Sequence, residues 1–254
     1  MLIIDGDHLL VYRIGFAIEK DKHGMDSGKY NISSFLDKLI NKTLDFDRKI
    51  YLTGKDNFRN SIATILPYKG NRLGAKKPKY YNQIRDYLVD YYDAIIIDGM
   101  EADDAMGIEQ MKNYHESEDE GDTGYCDSII VACDKDMDMI PGRHYNPMKD
   151  KEYWISDLEG HRNFYTQCLT GDSTDNIPGL KGMGPVGAKK ILGHLSTIDG
   201  MEAAVGYAYS AAMKAQENNV YKIELKGNTT YTREHSDYVE ILNEIKQLLW
   251  IRRK

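Results

Sequence analysis

The sequence has few cysteines and no long apolar stretch. Its 254 residues include three cysteines, Cys126, Cys133 and Cys168, which have neither paired metal-ligand spacing nor an even number. This pattern argues against a structural zinc site or a disulfide framework and favours a reducing compartment. No stretch approaches the roughly 20 apolar residues of a membrane-spanning helix. Asp5 and Asp7 also interrupt the first apolar stretch, where a signal peptide needs a continuous core. We therefore expect a soluble, cytoplasmic protein with no membrane partner.

Basic residues are outnumbered by acidic ones, 33 against 40, which gives a net charge of −7. The average conceals an uneven distribution, because the segment from Lys55 to Lys79 carries seven basic residues and one acidic residue. A negative pocket beside a positive surface is what an enzyme that acts on a polyanion through bound cations requires.

Acidic residues are concentrated where short apolar stretches end. Carboxylates that are brought together repel each other and retain protons unless a cation lies among them. Their hard oxygen atoms suit Mg²⁺ or Mn²⁺ better than zinc. A single Asp-Gly-Asp is more typical of a turn, but four such clusters favour a metal site that handles phosphate chemistry. The carboxylates at these ends are Asp5, Asp7, Glu101, Asp103, Asp104, Asp134, Asp136, Asp138, Asp172 and Asp175.

Spacing within the later clusters predicts which side chains share a face. Asp134 and Asp136 are two residues apart, so in an extended strand exit both point the same way, and Asp138 continues the alternation one step further on. Asp172 and Asp175 are three residues apart, which places both on one face of a helical turn.

Apolar strand, polar turn and helical segment alternate through the first 150 residues. This order predicts an α/β fold with a mainly parallel sheet, whose active edge lies at the carboxyl ends of the strands. The predicted strands are Ile50–Thr53 and one that starts at Ala94, and the predicted helices are Ser33–Leu44, Gln83–Tyr92 and Asp104–His115. We expect the acidic run from Glu116 to Asp122 to be a solvated loop.

Helices and a glycine-rich turn dominate after about residue 160. The turn from Gly179 to Gly187 exposes several backbone N–H groups ahead of a helix, a geometry that binds phosphate. It is equally typical of a plain helix-hairpin-helix corner. The other predicted elements are a helix over Arg162–Leu169, a hairpin formed by Val220–Leu225 and Thr229–Thr232, and a closing helix over Asp237–Ile251.

The basic segment interleaves cations with aromatic residues. Bases stack on aromatic faces while Lys and Arg follow the phosphate backbone, the usual logic for single-stranded nucleic acid. The alternative for the segment is a solvated basic loop, and Tyr80 and Tyr81 are equally typical of core contacts of the following helix. The candidate nucleic-acid-binding residues are Lys76, Lys77, Lys79 and Tyr80 here, and Lys181, Gly182, Met183, Gly184, Lys189 and Lys190 around the glycine-rich turn.

Six motifs occur in an order that resembles the flap endonuclease and 5′→3′ exonuclease family. They are Asp-Gly-Asp, Tyr-Lys-Gly-Asn-Arg, Glu-Ala-Asp-Asp, Cys-Asp-Lys-Asp, Gly-Asp-x-x-Asp-Asn-Ile-Pro-Gly and Lys-Gly-Met-Gly-x-x-x-Ala. The chain looks most like the short phage-encoded exonucleases and the nuclease domain of bacterial DNA polymerase I. The similarity runs from residue 2 to about residue 195.

The resemblance implies a PIN-like nuclease core over residues 1–160 and a helix-three-turn-helix DNA-binding region over residues 161–254. It implies 5′→3′ exonuclease or flap endonuclease activity with two divalent ions and 5′-phosphate products. The substrates would be DNA with 5′ ends, flaps or nicks, and RNA–DNA hybrid. The protein would be a monomer, in the host cytoplasm if phage-encoded.

The resemblance also assigns site residues. Lys69 and Arg72 match a basic pair that holds the scissile phosphate, and Gly182, Met183 and Gly184 match a hairpin that holds the duplex backbone, with K⁺ as a further ion. The implied metal ligands, direct or through water, are Asp5, Glu101, Asp103, Asp104, Asp134, Asp136, Asp172 and Asp175.

One position departs from the family pattern. The family has an Asp at the end of the strand that here reads Ile50 to Thr53, and this chain has Thr53 or Gly54 there. Asp56 is the nearest carboxylate that follows. The departure puts the number of bound metal ions in question.

Two other functions fit part of the sequence. An apolar strand followed by Asp5-x-Asp7 is also the nucleophile signature of haloacid-dehalogenase-type phosphatases, although that scheme has no place for Glu101-Ala-Asp-Asp or the glycine-rich turn. A structure-specific DNA-binding module without catalysis would explain the missing strand-end Asp.

Overall fold

The computed structural model describes residues 1–115, 124–215, 221–228, 230–233 and 238–254. The acidic run predicted to be a loop, Glu116 to Asp122, lies outside the described residues, as do Val220, Thr229 and Asp237 at the limits of predicted elements. No helix in the described ranges is long and apolar enough to cross a membrane.

Short strands and helices alternate along the chain, as the apolar pattern predicts. The strands are β1 Leu2–Asp5, β2 Arg48–Thr53, β3 Ile95–Ile97, β4 Tyr114–His115, β5 Tyr125–Cys126, β6 Ile129–Val131, β7 Gly142–Asn146, β8 Lys151–Ile155, β9 Gly171–Asp172, β10 Ile177–Pro178, β11 Lys214–Ala215, β12 Tyr221–Glu224 and β13 Thr230–Arg233. The α-helices are α1 Arg13–Ala17, α2 Met25–Thr43, α3 Arg59–Ile62, α4 Tyr81–Tyr92, α5 Ala102–Lys112, α6 Asp157–Thr170, α7 Pro185–Leu192, α8 Ile198–Ala212 and α9 Tyr238–Leu249.

The chain folds into two compact units, and neither is a single continuous segment. The first contains residues 1–57, 75–157 and 251–254, and the second contains residues 58–74 and 158–250. The predicted functional division near residue 160 stays a prediction.

A six-stranded sheet in the order β3-β2-β1-β6-β7-β8 forms the centre of the first unit. All neighbours pair in parallel except β7 and β8, which are antiparallel. Leu2 and Ile4 belong to one buried cluster and Ile3 to another, because successive side chains of a strand point to opposite faces. A strand buried on both faces must be apolar throughout, which explains Leu2-Ile3-Ile4. The predicted mainly parallel α/β fold is confirmed.

The last four residues complete the core of the first unit. Ile251 is buried in the same cluster as Ile3. The backbone N–H of Arg252 donates to Asp104 at 3.0 Å, and the Arg253 guanidinium donates to Asp157 at 2.6 Å. These contacts connect the chain after α9 to elements formed more than ninety residues earlier.

Several element limits differ from the sequence predictions. Helix α2 begins at Met25 rather than at residue 33, and the predicted helix that ends at His115 is wrong at its end, because α5 stops at Lys112 and β4 follows. Strand β3 starts at Ile95, and its first two isoleucines are 37% and 48% exposed, since β3 is the edge strand.

In the described part of the second unit, helices pack with two small sheets. The predicted helix over Arg162–Leu169 is confirmed within the longer α6, and the predicted hairpin and closing helix are confirmed as β12–β13 and α9. Strands β9 and β10 pair in an antiparallel turn. A Cβ on Gly171, which has φ +68°, would come within 2.2 Å of the Gly179 nitrogen, so only glycine permits this close approach.

Candidate metal and nucleic-acid site

Asp5 ends β1 at the carboxyl edge of the parallel sheet. Its side chain is buried, and one carboxylate oxygen accepts the His8 backbone N–H at 2.9 Å. Burial raises the pKa of Asp5 to about 7; the His8 N–H opposes this rise, and the negative charges of Asp7 and Asp134 add to it. Because β1 and β6 are neighbours, the chain segments that leave them bring Asp5 and Asp134 to one edge.

Asp7 is fixed by an arginine that the sequence analysis did not identify. One Asp7 oxygen accepts Arg85 Nη1 at 2.7 Å, and the other accepts the Thr53 backbone N–H at 2.7 Å. Arg85 Nη2 donates to the Thr53 carbonyl at 2.8 Å. Arg85 lies outside every motif identified in the sequence and follows buried Ile84 in α4. No sequence pattern therefore marks it as the partner of Asp7.

Thr53 ends β2 and is one of the two residues, with Gly54, that stand where an aspartate was expected. Its hydroxyl accepts the Ala102 backbone N–H at 3.0 Å, at the start of α5. The Thr53 hydroxyl therefore satisfies one of the backbone N–H groups at the start of α5 that have no partner within the helix.

The Glu101-Ala-Asp-Asp motif begins α5 with a reciprocal capping box. Glu101 accepts a hydrogen bond from the Asp104 backbone, and Asp104 accepts the Glu101 backbone N–H at 3.1 Å. Asp104 is completely buried, and its other oxygen accepts the Arg252 N–H. Both oxygens of this predicted metal ligand thus have structural partners. Asp103, the neighbouring predicted ligand, is half-buried in the first turn of α5.

The prediction that Asp134 and Asp136 lie in an extended strand exit is wrong. A 3₁₀ helix over Lys135–Met139 follows β6, and Asp134 caps it by accepting the Asp136 N–H at 3.0 Å. The capping side chain turns the backbone immediately after the strand, so the period of two no longer applies. Asp138 accepts the Tyr153 hydroxyl at 2.7 Å.

The carboxylate oxygens at the sheet edge of the first unit suit a hard divalent ion, although their side chains do not converge on a common point. No group of three Asp, Glu, His or Cys side chains in the described ranges is placed to hold a metal. Asp5 is nevertheless buried beside two further carboxylates, and the resulting rise in its pKa is the effect that a bound cation would reverse. The chemistry of these donor atoms, which are all carboxylate oxygens, therefore suits Mg²⁺ or Mn²⁺.

In the second unit, Asp175 accepts contacts from both predicted phosphate-binding residues. Arg72 Nη2 donates to Asp175 at 2.7 Å, and Lys69 Nζ lies 3.7 Å from the same carboxylate. The Tyr68 hydroxyl donates at 2.8 Å. The Lys69 backbone N–H donates to the Asp175 carbonyl at 2.9 Å. The structure thus brings three predicted site residues together.

The prediction that Asp172 and Asp175 share one face of a helical turn is wrong. Asp172 ends β9 and is buried, and its side chain accepts the Thr174 N–H at 2.7 Å. Asp175 lies in the turn between β9 and β10. The close approach of Gly171 to Gly179 favours this antiparallel turn over a helix.

Two lysines of the basic segment lie over tyrosine rings. Lys77 Nζ is 4.3 Å from the Tyr81 ring centroid, and Lys79 Nζ is 5.0 Å from that of Tyr80. Lys76 pairs with Glu19 at 2.7 Å. Tyr80 and Tyr81 pack against the core of the first unit, as the alternative in the sequence analysis expected for these rings.

The glycine-rich turn leads into α7. Gly182 has φ +77°, and space around Gly182 and Gly184 is open. Gly184 and Pro185 occupy the first positions of the helix, an arrangement that leaves backbone N–H groups available. Lys189 and Lys190 are exposed further along α7, and Lys181 pairs with Glu224 at 2.7 Å.

Sequence and structure comparisons place the chain among known proteins. No family model matches it. A 5′-3′ exonuclease of Buchnera aphidicola is 27% identical over 216 residues, which is 78% of this chain and 71% of the relative. DNA polymerase I of Bacillus caldotenax is 25% identical over 236 residues, 81% of this chain but 24% of that protein. Over most of its length the chain is therefore similar in sequence to a 5′-3′ exonuclease and to part of DNA polymerase I.

A solved structure supports the fold. T5 5′-exonuclease with bound zinc ions matches 98% of this chain and 86% of its own with a TM-score of 0.58 and 17% identity. At this identity the match establishes the fold alone, and it agrees with the predicted PIN-like α/β architecture. The chain spans about a quarter of the Bacillus polymerase.

Proposed function

We propose that this protein is a divalent-metal-dependent 5′ nuclease that hydrolyses phosphodiester bonds of DNA. The observation that carries the proposal is buried Asp5, which lies beside Asp7 and Asp134 at the carboxyl edge of the sheet. Similarity to a 5′-3′ exonuclease over 78% of the chain supports it. The proposal covers both 5′→3′ exonuclease cleavage and flap endonuclease cleavage.

Carboxylates of the first unit would hold Mg²⁺ or Mn²⁺. Asp5 and Asp134 are the first candidates because their charges already interact, and two ions are proposed, as in the resembled family. When bound, such ions activate water and stabilise charge that develops on the phosphate. The further proposed ligands in this unit are Glu101, Asp103, Asp104 and Asp136, and both oxygens of Asp104 must first leave their backbone partners. In the second unit, the carboxylates proposed as ligands are Asp172 and Asp175.

Lys69 and Arg72 would neutralise the scissile phosphate. Arg72 offers a planar fork of donors and Lys69 a compact charge. In the protein alone both contact Asp175, which keeps two cations close to each other before a substrate arrives. The singly charged phosphodiester of the substrate can replace this carboxylate as their partner, because both groups accept charge-assisted hydrogen bonds.

DNA would be held by the backbone N–H groups of the glycine-rich turn and by Lys189 and Lys190. A K⁺ ion at Gly182 to Gly184 belongs to this proposal. The proposed substrates are 5′ ends, flaps and nicks, together with RNA–DNA hybrid. We further propose a monomer that works in the cytoplasm.

Cleavage of labelled DNA tests the proposal. A 5′-flap and a nicked duplex are incubated with Mg²⁺, with Mn²⁺ and with a chelator. We expect cleavage that the chelator abolishes and that Asp134→Asn reduces by about 100-fold or more. Asp90→Asn, which changes an exposed carboxylate of α4, is the matched control and should cleave normally. Cleavage that persists in the chelator would exclude the metal-dependent reaction.

A further inference from the structure

A basic recess lies on the first unit between α1, α2 and the end of β7. Its volume is about 400 Å³, within the range of roughly 300–1,000 Å³ typical of small-molecule sites. Arg13, Asn31, Ser34 and Lys38 contribute polar side chains to its lining, and Phe35 and Tyr145 form an aromatic wall. The Tyr145 hydroxyl donates to Asp150 at 2.7 Å.

The recess is basic, although the chain as a whole is acidic. The whole sequence carries −7, yet of the described residues that line the recess two are cationic and none is acidic. In the described ranges, the side chains of Arg13, Asn31, Ser34 and Lys38 make no hydrogen bond or ion pair with another residue. Arg13 lies against the Phe35 ring, 5.5 Å from its centroid. The cations are therefore available to an outside anion.

Helix geometry explains why these groups converge. Residues 31, 34, 35 and 38 of α2 are spaced by three and four, so they share one face. Buried Ile32, Leu36 and Leu39 attach the helix to the core. Arg13 comes from the neighbouring α1 and faces the same space.

The recess lies near the carboxylate edge. Tyr145 of its wall is the strand partner of Val131, and its carbonyl accepts the Ala132 N–H at 3.3 Å. Asp134 follows two residues later. A group held in the recess is thus close to the chain segment that carries a proposed metal ligand.

We propose that this recess binds the terminal phosphate of a nucleotide, with Arg13 and Lys38 as its cationic partners and Ser34 and Asn31 as neutral donors. An arginine fork and a lysine charge together match a phosphomonoester, and the aromatic wall accommodates the attached nucleoside. The expectation that the phosphate belongs to a 5′ end rests on the proposed 5′ nuclease function. The same chemistry is present in a free mononucleotide.

Binding in the presence of a chelator tests the inference without catalysis. The ligands are one fluorescent oligonucleotide in three forms, with a 5′-phosphate, with a 3′-phosphate and with no terminal phosphate. The 3′-phosphate form controls for total charge. We expect the wild-type protein to bind the 5′-phosphate form about tenfold more tightly than the other two. One charge-assisted hydrogen bond is enough to produce a difference in affinity of this size.

Two variants remove the cations and one provides a control. Arg13→Gln and Lys38→Met should each abolish most of the tenfold preference. Lys29→Met changes a lysine nine residues before Lys38, about 180° around the same helix, and should retain it. Circular dichroism confirms that each variant folds. Equal binding of all three strands by the wild-type protein, or an unchanged preference in Arg13→Gln and Lys38→Met, would overturn the inference.

Competition identifies the source of the phosphate. If free deoxynucleoside 5′-monophosphate displaces the strand from wild type, but not from Arg13→Gln, the recess also holds mononucleotide. If the strand binds and the free mononucleotide does not, the recess recognises the 5′ terminus of the strand. Loss of cleavage with the binding preference intact would count against the proposed nuclease function alone.

Discussion

Replacing Asp5 by Asn should stabilise the metal-free protein at high pH. The pKa of Asp5 is raised from 3.8 to about 7, chiefly by burial. Because the folded pKa exceeds the unfolded one, the fold is favoured below pH 4 and loses this contribution as pH rises through 7. A pKa that rises from 3.8 to about 7 corresponds to roughly 4 kcal/mol. Water that reaches the carboxylate lowers this figure, so we expect about 1–4 kcal/mol.

Urea unfolding at several pH values in a chelator measures the effect. At pH 8.5 Asp5→Asn should unfold at higher urea concentration than wild type, and near pH 4 the two should coincide. Asp90→Asn should follow wild type at both pH values. Adding Mg²⁺ should stabilise wild type more than Asp5→Asn, because the bound cation offsets the buried charge. An Asp5→Asn protein that gains no stability at pH 8.5 would refute the reasoning.

Three further predictions concern other parts of the molecule. Lys69→Ala should lower kcat by about 100-fold with a smaller effect on DNA binding, whereas Lys69→Arg should retain more activity; a steady-state assay distinguishes these. Gly171→Ala should cost more than about 2 kcal/mol in urea unfolding because its Cβ would meet backbone at 2.2 Å, whereas Gly99→Ala, with φ +82° but open space, should cost about 1–2 kcal/mol. Glu244→Ala should cost about 1–3 kcal/mol, because Glu244 accepts hydrogen bonds from both the backbone and the hydroxyl of Thr64. Equal unfolding midpoints for the two glycine variants, or an unchanged midpoint for Glu244→Ala, would contradict these assignments.

The sheet could be predicted from the sequence because its signal is local. Leu2-Ile3-Ile4 and Ile129-Ile130-Val131 are apolar on both faces, and only a strand covered on both sides accommodates such a run. Carboxylates that follow these runs then share the sheet edge, since parallel strands end on one side.

Side-chain partners from distant segments could not be predicted. Arg85 meets Asp7 across 78 positions, and no periodicity of α4 marks that contact. After β6, the Asp134 side chain caps a 3₁₀ helix where an extended strand exit was expected. At β9, the close approach of Gly171 to Gly179 produces an antiparallel turn where a helical turn was expected. Both features depend on hydrogen bonds or steric contacts that propensity does not encode.

The buried position of Ile251 has a consequence for synthesis on the ribosome. The sheet of the first unit is encoded before residue 156, but its hydrophobic cluster and the Asp104 carboxylate await residues 251 and 252. A nascent chain that has emerged only to residue 250 therefore exposes an unfilled gap beside α5. Vectorial folding of the amino-terminal half should stay incomplete until the closing segment leaves the exit tunnel.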